Sequence, residues 1–445
     1  MYQTTSIILK NKDVTLNNYC DNFTRLAKNF KNSVIFRCRQ LLSAKNKNYQ
    51  NLSSNEKQVL AEFKITEDKY NSISDKYYLP SFYHFDYMFK KNKNVDYYND
   101  LPTQTTQNII KECLSDFKAF FKGVKSYNQN KDNFTGRPKL PRYIKQNKAS
   151  FDITNQDAVI KNGVLKLPKI KAKLSLGNLI LAKLKEVTIK PFYNTYKIYI
   201  VTEQEELDTN FNLDYSKILG IDIGVNNFIT TNNNFGLTPF IVNGKIMKSY
   251  NQYYNKRIAL LKSLLSKSSK KKLYCSDKID RLNKKRANYF TDKMHKISTY
   301  VINYCLDNDI GTVVVGKNSS WKQNSNINKV NNQNFCYIPH NLFINKLKEK
   351  AIKYSINVIE REESYTSKCS FLDNDFIYTY GKDDKSPFFS GKRKHRGLYI
   401  SKGGVKLNAD VNGAANIIKK EFQNAFDNIK DFSYMYKTVE KINII

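Results

Sequence analysis

Three short stretches of this sequence place carboxylates where they could handle a phosphodiester. Asp222 sits inside the apolar run LGIDIGVNNFITTNN (219–233). A charge there costs several kcal/mol unless it is paired or bound to a metal. Asp410 lies near the start of LNADVNGAANIIKKEF (407–422), where Ala409, Val411, Ala414, Ala415, Ile417 and Ile418 give a helix a small, close-packing face. An acid in the first turn of a helix can simply complement the dipole; beside Asp222, a shared metal is the stronger reading. Between them, INVIEREESYTSKCSFLDND (356–375) runs an apolar strand into two acids, Glu362 and Glu363. Phosphodiester cleavage with divalent metal needs about three carboxylates converging on two ions roughly 3.5–4 Å apart. Hard magnesium or manganese suits such oxygen ligands, and no His or Cys cluster competes for the ion. The strand around Asp222 is not specific alone, since sugar kinases and actin-like proteins hold phosphate on similar strands.

Carboxylates so far apart in sequence need a sheet to gather them. GTVVVGKNSS (311–320) reads as a buried strand, because its β-branched Val313, Val314 and Val315 suit a strand packed on both faces. It ends on Gly316 rather than on an acid. In an RNase H-like sheet, of strand order 3-2-1-4-5, the strand at 219–223 is the first, 311–316 the fourth and 356–361 the fifth. Strands stand about 4.8 Å apart, so the fifth lies roughly 10 Å from the first. A glutamate just past the fifth strand can bend back over the small Gly316. Adjacent residues leaving a strand point to opposite sides, so one of Glu362 and Glu363 is expected to face the site.

The rest of the chain divides by pattern. Residues 1–12 look like a lone strand, and 15–130 read as helical. In LPTQTTQNIIKECLSDFKAFFKGVKSY (101–127), Ile109, Ile110, Cys113, Phe117, Phe120, Phe121 and Val124 recur mostly at helical spacing. KYYLPSFYHFDYMFKK (76–91) sets aromatics beside lysines, a pattern that can stack bases; filling a helical core is the favoured reading. GRPKLPRY (136–143) is a basic linker punctuated by Gly and Pro. Strands are expected at 149–154, 163–168, 186–192 and 196–204, consistent with a small β-barrel, and a boundary at the polar stretch 205–214. A β/α pattern follows, interrupted by a helical pair at about 247–307 that carries the basic run 267–272.

Composition narrows the partner. The 445 residues hold 74 Lys and Arg against 40 Asp and Glu, a formal charge of +34. An AT-rich coding sequence would enrich lysine without a functional reason, yet the acids did not rise with it. An excess this large repels itself unless a polyanion offsets it, and nucleic acid is the obvious polyanion. The length points to two or three domains. No apolar run approaches the roughly 18–20 residues of a membrane span, and MYQTTSIILKNKD lacks the pattern of a signal peptide. The seven cysteines include no CxxC pair, so neither a disulfide framework nor a zinc site is expected, and a reducing, cytoplasmic setting is.

GIDIGVNNF, VVVGKN, EESYTSKCSFLD, RGLY and NADVNGAANI resemble the RuvC-like domain of TnpB, the RNA-guided nuclease of bacterial insertion sequences. The similarity is to the branch with a relocated catalytic glutamate, a feature shared with the Fanzor proteins. LPTQTTQNIIKECLSDFKAFFKGVKSY and GRPKLPRY resemble that family's N-terminal half, so the likeness spans about 100–420. The resemblance implies an α+β multidomain protein. Residues 1–14 and 131–210 would form a β-barrel wedge domain and 15–130 a helical recognition domain. Residues 215–445 would be the RuvC-like α/β nuclease domain, with a helical insertion at about 247–307 and a target-nucleic-acid-binding insertion at about 366–406. It implies Asp222, Glu363 and Asp410 as catalytic metal ligands for magnesium or manganese, with Glu363 chosen because it stands three before Thr366. It implies a guide RNA from the transposon end and a double-stranded DNA target beside a short adjacent motif, with no membrane partner. Lys139, Arg142, Lys145 and Lys368 are candidate nucleic-acid contacts. The setting implied is the nucleoid, or the nucleus in a eukaryotic host. Many relatives carry a four-cysteine zinc site between the last two motifs; here Cys369 alone remains, and no zinc is expected. The competing reading is an RNA-guided DNA-binding protein that does not cut, a repressor; such relatives would be expected to lose catalytic carboxylates, and this chain keeps a full set. A strand-transfer transposase is a more distant third.

Overall fold

The computed structural model describes residues 2–45, 47–72, 79–176, 183–203, 211–268, 275–317, 338–381, 387–395, 397–437 and 439–444. Most of the basic run 267–272, and Cys336, lie outside the described residues. The chain separates into two compact units, 1–206 and 207–445, and the division falls within the polar stretch 205–214.

The first unit begins with strand β1 (Tyr2–Ile8) and continues through helices α1 (Val14–Ala44), α2 (Ser54–Glu62), α3 (Glu67–Ser72), α4 (Phe82–Lys91) and α5 (Thr103–Gln129). Strands β2 (Phe151–Thr154), β3 (Val159–Lys161), β4 (Val164–Lys166), β5 (Lys173–Ser175), β6 (Lys183–Phe192) and β7 (Thr195–Glu203) complete it. An antiparallel sheet runs β1-β7-β6-β2, and β3-β4-β5 form a second small sheet. The chain's first strand pairs along its whole length with β7, from Tyr2↔Glu203 to Ile8↔Lys197. Phe30, Phe85, Phe89, Ile110 and Phe117 from the helices share one core with Ile153, Val187 and Ile198 from the strands. The aromatic stretch splits by helical periodicity. Phe85, Met88 and Phe89 of α4 are buried, whereas Tyr83 and Tyr87 face outward. Helix α2 starts at a capping box, in which Ser53 Oγ accepts from Glu56 N and Glu56 Oε2 accepts from Ser53 N.

The second unit is a mixed α/β layer structure. Its strands are β8 (Asp214–Ile223), β9 (Asn227–Asn233) and β10 (Phe240–Asn243), then, after helices α6 (Lys245–Ser268) and α7 (Asp277–Asp307), β11 (Ile310–Gly316). Helix α8 (His340–Ala351) and strand β12 (Asn357–Arg361) follow. A hairpin region holds β13 (Lys392–His395), β14 (Leu398–Ile400) and β15 (Lys406–Leu407), ahead of helix α9 (Ala409–Glu421) and strand β16 (Glu440–Ile442). The main sheet has the order β12-β11-β8-β9-β10-β16. Its first five strands follow the expected order 3-2-1-4-5 read from the opposite edge; β16, unforeseen in the sequence, adds a sixth, parallel to β10. β8 and β9 are antiparallel, while β11 runs parallel to both β8 and β12.

Period-two alternation gives the sheet two different faces. Leu219, Ile221 and Ile223 of β8, with Val313 and Val315 of β11, pack into a core with α7 and α8. Ile218 and Val314 point the other way, into the core that includes Val411, Ala415, Ile417 and Ile418 of α9. Burying Ile417 and Ile418 alone contributes about 1.5–3 kcal/mol each. Gly220 lets α9 come close to the sheet. A Cβ there would stand 2.5 Å from the backbone oxygen of Ala414, so any larger residue pushes the helix away.

Candidate active site

Asp222 shares a strand face with Gly220 and Ile218, so alternation aims it at α9 rather than into the aliphatic core. The pairing of Val315 with Ile221 brings Gly316, one residue on, alongside Asp222. Gly316 in turn pairs with Arg361, the last residue of β12. One row across three strand ends therefore reads Asp222, Gly316, Arg361.

Helix α9 hangs over this row. Its N-cap is Asn408, whose side chain accepts from the backbone N–H of Asp410 at 2.9 Å and of Val411 at 3.4 Å. That cap fixes Asp410 in the first turn. Asp410, Gly413 and Ile417 are spaced to lie on one helix face. Gly413 has nothing to put between the helix and Asp222: a Cβ there would stand 2.9 Å from Asp222 Oδ2. Asp410 Oδ2 accepts from Asn227 Nδ2 at 2.8 Å, and Asp410 Oδ1 pairs with the Arg393 guanidinium at 3.0 Å.

Burial foremost, and the negative Asp410 with it, push the Asp222 carboxyl up to about 7 against the opposing Arg393 guanidinium. A carboxylate that resists ionisation beside a second one is the electrostatic signature of a place that wants a cation. The oxygen-only donor set suits a hard divalent ion. The positive charge facing Asp410 belongs to Arg393, on β13. Among the described residues no three acidic, His or Cys side chains stand close enough together to enclose an ion.

The two glutamates part company after β12. The Glu362 carboxylate accepts from Ser364 N at 2.7 Å and from Ser364 Oγ at 2.9 Å, and pairs with buried Lys420 at 2.6 Å. Burial raises its carboxyl, but Lys420 and Ser364 outweigh that and hold it below the usual range. Glu363 turns back over the fourth strand. Its Oε2 is buried and lies 2.5 Å from where a Cβ on Gly316 would be, in space shared with Ile417 Cδ1. Simple strand alternation does not describe this pair. β12 ends at Arg361, which itself pairs with Glu421 of α9 at 3.2 Å. Both glutamates then reach toward α9, one to Lys420 near its C-terminal end and the other beside Ile417.

The insertion between Glu363 and Asp410 is tied down by polar side chains. Asn412 Nδ2 donates to Cys369 O and Asn416 Nδ2 to Thr366 O, both at 2.8 Å, while Phe371 N donates to Asn412 Oδ1 at 3.0 Å. Asp375 accepts from Ser370 N at 2.7 Å, and Tyr399 O–H donates to Lys368 O at 2.8 Å. Cys369 is buried, its thiol pushed up to about 11 by that burial, and its Sγ donates to Phe376 O at 3.4 Å. Nothing in the sequence pattern foretold the asparagines as fasteners; both lie on α9 among residues read only as a packing face.

Lys368 is exposed, with its ammonium 5.8 Å from the Tyr365 ring centre and 6.0 Å from that of Phe389. Lys139, Arg142 and Lys145 belong to the first unit and are exposed on the linker after α5. That linker is pinned to α1: Arg39 donates to Pro141 O at 2.8 Å, and Ile144 N donates to Asn32 at 2.8 Å.

The second unit is thus a mixed α/β layer structure with a covering helix over the strand ends that carry Asp222 and Gly316. Residues 201–322 match the OrfB_IS605 family, described as a probable transposase, and residues 340–417 match the Cas12f1-like TNB domain. The TnpB-like protein ORF457 of Acidianus two-tailed virus is 25% identical over 211 residues, which span 46% of this chain and 42% of that protein. The chain thus matches less than half the length of this curated relative. The chain is similar to TnpB-like proteins over part of its length. Among solved structures, the Cas12f1–sgRNA–target DNA complex is 14% identical with a TM-score of 0.33, over 95% of this chain and 100% of that one. CRISPR-Cas_phi3, a mini-RNA-guided endonuclease, is 10% identical with a TM-score of 0.42, over 99% and 94%. No helix among the described residues is long and apolar enough to cross a membrane.

Proposed function

We propose that this protein is an RNA-guided DNA endonuclease that cuts guide-matched double-stranded DNA beside a short adjacent motif. The observation that supports the reading is Asp222 beside Asp410 at the end of β8 beneath α9, with Glu363 lying over Gly316 at the neighbouring strand end. In this reading the second unit is a RuvC-like domain. The strands of 1–14 and 131–210 act as the wedge, the helices of 15–130 as the recognition lobe, and the protein works in the cytoplasm on the nucleoid.

Asp222, Asp410 and Glu363 would hold magnesium or manganese, which supplies an activated water and neutralises charge on the scissile phosphate. The chain's own contribution is positional. Asn227 and the Asn408 cap aim Asp410, Gly413 keeps the helix from covering Asp222, and the Glu362–Lys420 pair anchors the turn from which Glu363 reaches back. Arg393 offsets part of the negative charge of Asp410. The guide RNA, derived from the transposon end, would neutralise much of the +34 charge.

The test is reconstitution. RNA copurifying with the protein is sequenced, and plasmids bearing the matching target are incubated with the complex. Cleavage that requires magnesium or manganese, stops with EDTA and is lost in Asp222→Ala supports the reading. Guide-dependent binding without any cleavage would make the protein a repressor instead.

A further inference from the structure

Asp410 and Asp222 are held in unequal ways. Asp410 takes a bond from Asn227, faces the Arg393 guanidinium and is fixed in its turn by the Asn408 cap. The Asp222 carboxylate accepts no hydrogen bond among the described residues; burial, Asp410 and Arg393 are what act on it. Gly413 stands over it with no side chain to offer. Directly across the sheet is Thr230, the antiparallel partner of Asp222 on β9. Such cross-strand partners project to the same face, with Cβ atoms about 4.5–5.5 Å apart.

That face is the one under α9, because Asn232, two residues along β9, reaches Val411 O with its amide at 3.4 Å. Thr230 is only 1% exposed, yet its hydroxyl makes no hydrogen bond among the described residues. The next residue shows how a threonine of this strand is otherwise satisfied: Thr231 Oγ1 accepts from Phe240 N at 3.0 Å and donates to Phe240 O at 3.1 Å. A buried hydroxyl without a partner loses its hydration and gains nothing in exchange, whereas valine would fill similar space on a buried strand without that loss. An idle donor therefore lies on the same sheet face as a carboxylate that has no donor.

We propose that Thr230 is the positioning residue of Asp222: its hydroxyl donates to one carboxylate oxygen and leaves the other oxygen turned toward a divalent ion. The inference deepens the nuclease reading and rests on it for the ion. At the separation of paired Cβ atoms, a threonine hydroxyl and an aspartate carboxylate come within hydrogen-bond range when their rotamers face each other. The hydroxyl brings no charge and is not itself a ligand, so what it supplies is orientation. Carboxylates that ligate metals are commonly held by such a bond, and its loss typically weakens metal binding by about 10–100-fold. Asn227 gives Asp410 the same service from the start of the same strand.

The experiment uses the full chain. Thr230→Val removes the hydroxyl and keeps the shape, Thr230→Ser keeps the hydroxyl, and Asp222→Ala defines the manganese bound elsewhere on the protein. Free manganese is followed by electron paramagnetic resonance as each chain is added, and each chain is melted in EDTA. Thr230→Val is expected to weaken the Asp222-dependent manganese binding by about tenfold or more, and Thr230→Ser to bind as wild type does. In EDTA Thr230→Val should melt at or above the wild-type temperature, because it removes an unsatisfied buried group. A hydroxyl with a purely structural role would do the reverse, lowering the melt and leaving manganese binding alone. Wild-type manganese binding by Thr230→Val overturns the inference, as does a Thr230→Ser chain that binds as weakly as Thr230→Val. A Thr230→Val chain that melts well below wild type, or fails to fold, also overturns it, since the hydroxyl then holds the fold. The nuclease reading fails separately: a wild type whose manganese binding depends on Asp222 and Thr230 but that cuts no guide-matched DNA sinks that reading and leaves Thr230 in its role. A wild type that cuts while Thr230→Val binds manganese equally well sinks only the inference, and a wild type with no Asp222-dependent manganese sinks both.

Discussion

Glu363 occupies the space that a side chain on Gly316 would need, with its Oε2 2.5 Å from the position of that missing Cβ. The fourth strand of the sheet ends without an acid, and an acid from beyond the fifth strand lies over its end. Glu362, one residue earlier, is tied to Lys420 and Ser364 and points elsewhere.

This arrangement separates the two glutamates experimentally. Glu363→Gln keeps the shape and removes the ligand charge, so DNA cleavage should fall by at least about a thousandfold while guide-dependent binding persists, as for a lost transition-state interaction of several kcal/mol. Glu362→Gln should retain most cleavage but lower stability by roughly 1–3 kcal/mol, because buried Lys420 loses its partner. Cleavage assays on both variants decide it; a dead Glu362→Gln beside an active Glu363→Gln refutes the assignment.

Gly316→Ala adds one methyl where there is no room. Either Glu363 or Ile417 must shift, and a displacement of about 1 Å at a reacting group can cost on the order of a hundredfold in rate. Cleavage should fall accordingly with little change in guide RNA affinity. The double change Gly316→Glu with Glu363→Gln returns an acid to the fourth strand, and any cleavage above that of Glu363→Gln alone would show the two positions serve one site.

Asp222 is half-buried beside a second carboxylate, an arrangement that favours function over stability. In EDTA, Asp222→Asn should melt higher than wild type by several degrees, since it removes a charge with no full compensation. The same variant should not cut. Differential scanning calorimetry in EDTA checks the sign, and a lower melting temperature for Asp222→Asn contradicts the electrostatic account.

The insertion between Glu363 and Asp410 should hold its fold without zinc. Atomic absorption on dialysed protein should find well below one zinc per chain, and EDTA should leave the thermal melt of this region unchanged. Asn412→Ala or Asp375→Ala should each cost about 1–3 kcal/mol, because each strands buried backbone groups.

In the first unit, pH reports on Glu56. Burial acts to raise its carboxyl, but Lys47 and the Ser43 and Ser53 bonds overcome that and pull it down to about 2. A folded-state value below the unfolded one adds stability that is present above about pH 4.5 and disappears as pH falls toward 2. With its side chain only 2% exposed, the contribution is on the order of 2 kcal/mol. Urea melts of wild type and Glu56→Gln should differ by that amount at pH 7 and converge near pH 2.

The sequence by itself determined the elements that carry the acids. The three valines of 313–315, the apolar run around Asp222 and the helical face of 409–418 each repeat at a period that local geometry dictates, and β8, β11, β12 and α9 form where those periods lie. The five-strand order also followed, because parallel strands need crossovers and these run through α6, α7 and α8. What the sequence left open was decided by contacts between residues far apart in the chain. β16 adds to the edge of the sheet through backbone pairing, which leaves little mark on side-chain pattern. Where the Glu362 side chain points depended on Lys420, nearly sixty residues downstream, and on where β12 stops. Arg393 reached Asp410 only because β13 folded back against the start of α9. Charge, burial and space at a site are properties of the assembled neighbours, and a linear pattern records only which residues are available to become them.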